Sequence, residues 1–237
     1  MSNEKVFYPY FKEMANKINN NDLILDKSGV KIAETLAPRV VLDPQQITLD
    51  FNGRKSPKKY ISRENEWYYS HELKIDRVSD VAIWNQVSDI NNEINSNYGN
   101  LVYSRNNFSQ FSQVVKTLTN HKESRQGIII YTRPSIHFEW NSFDAGDFIC
   151  TNYQQFFIRD NQLHCVTSMR SNDLIYGTFN DLPWFHTVIQ DMYIHMSEVY
   201  PELEYGKHIF IPNSLHAYER HFDKVFDVVE NNKDLEV

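Results

Sequence analysis

Apolar side chains recur at helical spacing along some stretches of the chain and in short continuous runs along others, a pattern that predicts helices and strands in mixed order. Phe7, Phe11, Met14, Ala15 and Ile18 predict a helix within residues 6–19, its start delayed by Pro9, which lacks the N–H a helix interior uses. From Leu23 to about Gly53 short apolar runs alternate with turn residues and predict loops and short strands, and Arg63 to Leu73 predicts a helix. Phe108, Phe111, Val115 and Leu118 fall on one helix face, and Gly127-Ile-Ile-Ile-Tyr131 reads as a buried strand. The runs YQQFFIRD and QLHCVTSM flank Asn161 and predict paired strands. Pro183 suits the first turn of a helix whose stripe continues through Trp184, Val188, Met192 and Met196. Last come a short strand at His208–Ile211 and a helix carrying Tyr218, Phe222, Val225 and Val229. The order predicts an α/β (α+β) fold with a sheet core.

Composition narrows this picture. With 237 residues, 41% hydrophobic and 23% charged, the chain can bury a full core, and no repeat, low-complexity tract or linker divides it, so residues 1–237 are expected to form one domain. No run approaches the ~18 consecutive apolar residues of a membrane span, and MSNEKVFYPYFKEM lacks a secretory layout, so a cytoplasmic protein without a membrane partner is expected. A net charge of −7 argues against a protein that coats nucleic acid, yet leaves room for an anion site built from a few placed arginines. The only cysteines, Cys150 and Cys165, make no disulfide framework and lack metal-ligand spacing, and no metal is implied.

Taken alone, the candidate residues have ordinary explanations. Cys150 stands just before a strand, where a side chain can face a cleft, although a cysteine is by default a small buried hydrophobe; Cys165 alternates inside its strand and reads as core. In RSNDLIYGTFNDLPW the fork of Arg170 and the hydroxyl of Ser171 suit phosphate oxygens, whereas a solitary arginine reads as a surface ion pair. Glu64 alone would be surface charge, His216 a satisfied core histidine, and Tyr218 and Tyr98 packing.

Together these residues resemble the thymidylate synthase superfamily: Cys150, Gln155, the Arg170-Ser-x-Asp173 run, Gly177 and His216-x-Tyr218 stand in the family's order and spacing. DKSGVK, RENEWY, EINSNYG, GIIIYTRPS, CTN and MRSND are most similar to its phage deoxycytidylate hydroxymethylase branch, and the likeness runs from about Lys27 to about Phe222. The resemblance implies a three-layer fold whose large mixed sheet forms the interface of a homodimer, with helices packed on the sheet. It implies that the Cys150 thiolate adds to C6 of a pyrimidine nucleotide, so that C5 attacks the methylene carbon of 5,10-methylenetetrahydrofolate, the cosubstrate. In thymidylate synthases the resulting exocyclic methylene is reduced by the folate; in hydroxymethylases water adds to it. Glu64 matches the catalytic glutamate, and Glu66, two residues on, would face elsewhere. Lys27, Arg170, Ser171, Asn172 and Gln155 match nucleotide contacts, His216 and Tyr218 the ribose pair, Asp173 the pterin contact, with Gly177 and Trp84 on the folate side.

Asp181 stands four residues after Gly177, where uracil-using members carry asparagine. A carboxyl group can accept from cytosine N4 and share a proton with N3, so Asp181 points to cytosine. Against this, Asp181 lies near Pro183 and could simply cap the helix, and Asn180 beside it would take its place if the alignment slipped by one. The family's two adjacent arginines, which reach across the dimer to the partner's phosphate, are here Arg125 and Gln126. Lys27, Arg170 and the partner's Arg125 still give a phosphate dianion cationic contacts, and Gln126 is compatible with CMP as well. After its last helix the chain reads NNKDLEV, where thymidylate synthases fold a segment over the folate; a less sealed site admits water, unless Leu235 and Val237 close it. The expected reaction is dCMP hydroxymethylation, with phage DNA modification or an antimetabolite pathway as its setting. The alternatives are a CMP or dUMP hydroxymethylase, a thymidylate synthase, or an inactive nucleotide- or RNA-binding paralogue, the last opposed by the joint presence of Cys150, Glu64 and Asp181.

Overall fold

The computed structural model describes residues 1–140 and 146–236, so Val237 lies outside the described residues. The elements begin with α1 (Asn3–Asn19), β1 (Ile24–Leu25), β2 (Lys31–Leu36), β3 (Val40–Leu42), β4 (Asp50–Phe51), β5 (Arg54–Lys55) and α2 (Lys58–Ser70). They continue with α3 (Ala82–Val87), α4 (Tyr98–Tyr103), α5 (Gln110–Asn120), β6 (Ile128–Ile130), α6 (Ile136–Glu139), β7 (Thr151–Arg159) and β8 (Gln162–Met169). Last are β9 (Asn172–Asp173), α7 (Gly177–Val199), β10 (Glu204–Pro212), β11 (Ser214–Tyr218) and α8 (Phe222–Asn231). The mixed α/β class is as expected. Among the described residues no helix is long and apolar enough to cross a membrane.

Contacts divide the chain into two units, neither of them continuous in sequence. The first takes Met1–Pro57, His164–Asp191 and the chain from Tyr205 onward. In it β2 pairs antiparallel with β1 on one side and β11 on the other, and β11 pairs parallel with β9. Strand β10 runs antiparallel to β3 and neighbours β8. Helix α1 begins ahead of Pro9: the Ser2 hydroxyl accepts from Lys5 N at 3.4 Å, and a face of Phe7, Tyr8, Phe11, Met14 and Ala15 is buried. That burial outweighs the donor lost at Pro9. The rings of Phe11, Phe51 and Phe179 pack at 5.1 and 6.1 Å between centroids, and the Tyr8 hydroxyl donates to Val229 O in α8 at 3.1 Å.

A buried polar chain crosses this unit. His186 Nδ1 lies 2.8 Å from Gln46 O, His186 Nε2 2.9 Å from His208 Nδ1, and His208 Nε2 2.8 Å from Thr167 Oγ1. A carbonyl only accepts, so Nδ1 of His186 carries hydrogen and its Nε2 accepts from His208. Every link is then used once with both rings neutral, and burial pushes the His186 pKa down to about 4 and that of His208 well below its ordinary value.

The second unit takes Lys58–Leu163 and Met192–Glu204. Trp67 stacks on Tyr68, Tyr68 on Tyr98, and Tyr98 meets Tyr131 edge-on, with centroids 5.1–5.5 Å apart. Strands β6 and β7 pair antiparallel with Ile128 opposite Gln155. Asp160 and Asn161, both at positive φ, make the two-residue turn that carries β7 into β8, the backbone a tight hairpin requires. Gly99 is obligatory, since a Cβ there would stand 1.9 Å from Tyr68 O.

Several element assignments change, and the short strand expected at His208–Ile211 is the nine-residue β10. The expected helix at Arg63–Leu73 is α2, displaced toward Lys58. Phe108 precedes α5, is 84% exposed and has φ 61°, while the buried face is Phe111, Val114 and Leu118. Tyr218 ends β11, where it pairs with Ile32, instead of opening the last helix; ladder pairing with β2 decides its conformation.

Candidate active site

The first unit holds the nucleotide-side candidates. Helix α7 starts at Gly177, well before Pro183, so Asp181 is inside it and caps nothing. Asn172 Nδ2 donates to Asp181 Oδ2 at 2.9 Å, and the Thr178 hydroxyl donates to Asn172 Oδ1 at 2.5 Å, which fixes the amide's orientation. Asp181, and not the adjacent Asn180, is the residue this amide meets. A Cβ on Gly177 would come 3.1 Å from Asn172 Nδ2 and 3.4 Å from Asp181 Oδ2, so the glycine leaves room for the pair. Burial, opposed by the Asn172 hydrogen bond and helped by the Asp173 carboxylate, raises the Asp181 pKa to about 7. The carboxyl can therefore hold or release a proton near neutrality.

His216 is buried on β11, its Nδ1 3.1 Å from Ser214 Oγ. The Ser214 hydroxyl gives its hydrogen to Glu34, so it accepts from His216, and Nε2 is the acceptor of the neutral ring. Burial lowers the His216 pKa, with Asp173 working against it. Tyr218 meets His216 edge-on at 4.9 Å and lies under the Arg220 guanidinium at 4.1 Å. Half-buried Asp173 accepts from Ile175 N at 2.8 Å through Oδ1, and its Oδ2 stands 3.9 Å from His221 Nδ1. Arg170 is exposed and Ser171 half-buried, between β8 and β9. Exposed Lys27 sits in a turn tied by Asp26, whose carboxylate accepts from Ser28 Oγ, Ser28 N and Val30 N at 2.6–3.0 Å. Those hydrogen bonds, the Ser28 hydroxyl foremost, hold the Asp26 pKa below its ordinary value.

The second unit holds Cys150, Glu64, Trp84, Arg125 and Gln155. Cys150 directly precedes β7, is half-buried and forms no disulfide; its Sγ lies 3.8 Å from Phe148 O. The next residue, buried Thr151, donates to the Tyr98 hydroxyl at 2.9 Å and anchors the strand start behind the thiol. Cys165 is fully buried in β8 of the first unit. Gln155 Nε2 donates to Arg125 O at 2.8 Å, while the Arg125 and Gln126 side chains are exposed.

Glu64 on α2 is 4% exposed, which a reading of surface charge would miss, and Glu66 is exposed. Its Oε1 accepts from Tyr60 Oη at 2.5 Å, and Tyr60 Oη accepts from Trp84 Nε1 at 2.8 Å. Tyr60 was not singled out by its residue type; its one signal in the chain is the four-residue spacing to Glu64, which puts both on one helix face. Among the described residues no cluster of His, Cys, Asp and Glu could hold a metal ion.

The thymidylate synthase family model matches residues 10–236. The deoxycytidylate 5-hydroxymethyltransferases of Enterobacteria phages T6 and T4 are each 37% identical over 209 residues, 86% of this chain and 83% of theirs. The thymidylate synthase of Francisella philomiragia is 22% identical over 231 residues, 92% of this chain and 80% of its own. Among solved structures, thermostable thymidylate synthase A from Bacillus subtilis superposes with a TM-score of 0.72 at 19% identity, over 97% of this chain and 84% of that one.

Proposed function

This chain belongs to the thymidylate synthase family, and on that premise we propose that it converts dCMP, 5,10-methylenetetrahydrofolate and water into 5-hydroxymethyl-dCMP and tetrahydrofolate. The observation that carries the choice of base is the Asp181 carboxyl with its pKa near 7. Once it has passed its proton to cytosine N3, its two oxygens accept from N3–H and from the N4 amino group, whereas uracil would set its O4 acceptor against a carboxylate oxygen. The phage relatives, named for action on deoxycytidylate, support the same reading.

In this reading the Cys150 thiolate bonds to C6 and pushes electron density to C5, and nearby arginine charge would favour the ionised sulfur. Asp181 holds N3 protonated as the ring accepts that density. Lys27, Arg170, Ser171 and the Arg125 of a partner subunit bind the phosphate, with Gln155 and Asn172 on the nucleotide. The acceptor Nε2 of His216 takes a sugar hydroxyl, beside Tyr218. The folate cosubstrate supplies the one-carbon unit; Asp173, Gly177 and Trp84 would hold it, the half-buried carboxylate of Asp173 suiting the N–H edge of a pterin. Glu64 takes the proton from the water that completes the hydroxymethyl group. We further infer one domain over residues 1–237, acting as a homodimer in the cytoplasm.

The test is incubation with dCMP, CMP and dUMP in parallel with labelled methylenetetrahydrofolate. A hydroxymethylated dCMP mass with release of tetrahydrofolate supports the assignment. Preference for CMP would assign the ribonucleotide, as the Gln126 departure allows. Dihydrofolate release would mean methylation and defeat the proposal.

A further inference from the structure

We propose that Tyr60 is a positioning residue for Glu64, fixing the carboxylate through a one-way hydrogen-bond relay that starts at Trp84. This inference rests on the hydroxymethylase reading and adds to it a residue which that reading did not contain.

The direction of the relay follows from the atoms. An indole N–H only donates, so at the 2.8 Å contact the Tyr60 oxygen must accept from Trp84. The phenol hydrogen is then left for the 2.5 Å contact with Glu64 Oε1, a length typical of a hydroxyl donating to a carboxylate. Tyr60 and Glu64 stand four residues apart on α2, so the helix itself sets their separation. Trp84 is held in turn by edge contact with the fully buried Trp67 at 5.1 Å. Glu64 therefore sits in a nearly dry place with one oxygen pinned by the Tyr60 hydroxyl, a bond that sets the plane of the carboxyl and offsets part of the cost of burying its charge. A base that must take a proton from one incoming water gains from both effects. Arg63 on α2 lies 5.7 Å from the Tyr60 ring and pairs with Asp80 in the following loop at 3.0 Å, and Lys58, Lys59 and Glu66 along α2 are exposed.

The experiment compares the full-length protein with Tyr60→Phe and with 3-fluorotyrosine at position 60, measuring hydroxymethylation of dCMP across pH. Removal of the hydroxyl is expected to lower kcat by about 10–100-fold while KM for dCMP stays within about threefold. It should also move the acid limb of the kcat profile up by about one pH unit. Fluorotyrosine, a stronger donor of the same shape, should move that limb the opposite way, which a purely structural role would not do. A Tyr60→Phe protein with kcat within about twofold of wild type and an unmoved limb overturns the proposal. So does a fluorotyrosine limb shifted in the same direction as the phenylalanine one. Should Tyr60→Phe lose cooperative unfolding, the sign of the fluorotyrosine shift decides alone. A wild-type protein that makes no 5-hydroxymethyl-dCMP removes the functional reading and the Tyr60 role together, whereas wild-type turnover with an unaffected variant removes only the latter.

Discussion

Replacing Asp181 by asparagine tests both the energetics and the chemistry of the nucleotide side. Burial raises the Asp181 pKa from 3.8 to about 7. A raised folded-state value means that the folded protein holds the proton more tightly than the unfolded chain does. Its contribution to stability is complete below the unfolded value and is lost as pH climbs through the folded one. The shift of about 3 units corresponds to about 4 kcal/mol over the whole window. The part between about pH 5.5 and 7 accounts for about 2 kcal/mol, and little is lost beyond it. Asparagine cannot ionise and can still accept from the Asn172 amide, so Asp181→Asn should gain about 2 kcal/mol on the wild type between about pH 5.5 and 8.5. Urea unfolding of the nucleotide-free proteins at those two pH values measures this directly. Parallel pH dependence in the two proteins would refute the claim that this carboxyl is neutral in the folded state. In turnover, the same variant should reduce the preference for dCMP over dUMP, read as a ratio of kcat/KM values, by about 10⁴-fold, and an unchanged ratio would show that residue 181 does not read the base.

Further outcomes follow from other parts of the molecule. Cys150→Ala should lower kcat by at least about 10⁴-fold without changing the unfolding midpoint, and full turnover would exclude the thiol as nucleophile. The His186–His208 chain should make the protein acid-sensitive. Both rings are neutral in the fold, so stability is intact above about pH 6.5 and falls as pH drops toward the His186 value of about 4, by about 3 kcal/mol for that ring. Urea unfolding at about pH 7 and 5 checks this, and His186→Gln should flatten the slope. Gly99→Ala places a carbon 1.9 Å from Tyr68 O and should cost more than about 3 kcal/mol or abolish folding, with thermal unfolding as the readout.

Periodicity in the chain was a good guide to helices and a poor guide to where they start. Pro9 and Pro183 both pointed to a late start, yet each lies inside its helix, because α1 has a cap and a buried face that begin earlier and α7 already starts at Gly177. Phe108 kept helical spacing but left the helix, since a left-handed backbone at Phe108 and Ser109 separates it from α5. The thiol at the edge of β7 was legible from strand position, whereas its chemistry came only through family likeness. Burial of Glu64 and the part played by Tyr60 were not legible: an alternation of polar residues on a helix does not say which of them the rest of the fold will cover. The cap explanation of Asp181 failed for the same reason, because the start of α7 depends on packing that local rules do not contain.

The first unit joins segments that lie far apart in the sequence. The Asn232 carbonyl oxygen Oδ1 accepts from Asn52 N at 3.0 Å, its amide returns the bond to Asn52 O at 2.8 Å, and Tyr8 reaches Val229. During synthesis, the contacts of Asn52 and Tyr8 cannot be completed while the ribosome still holds the segment near Asn232. The nascent polypeptide must therefore wait, with the α8-facing part of α1 uncovered, until the α8 segment has been translated. Such distant closures slow folding and expose the waiting chain to aggregation, so growth temperature and chaperone supply should govern how much active protein accumulates.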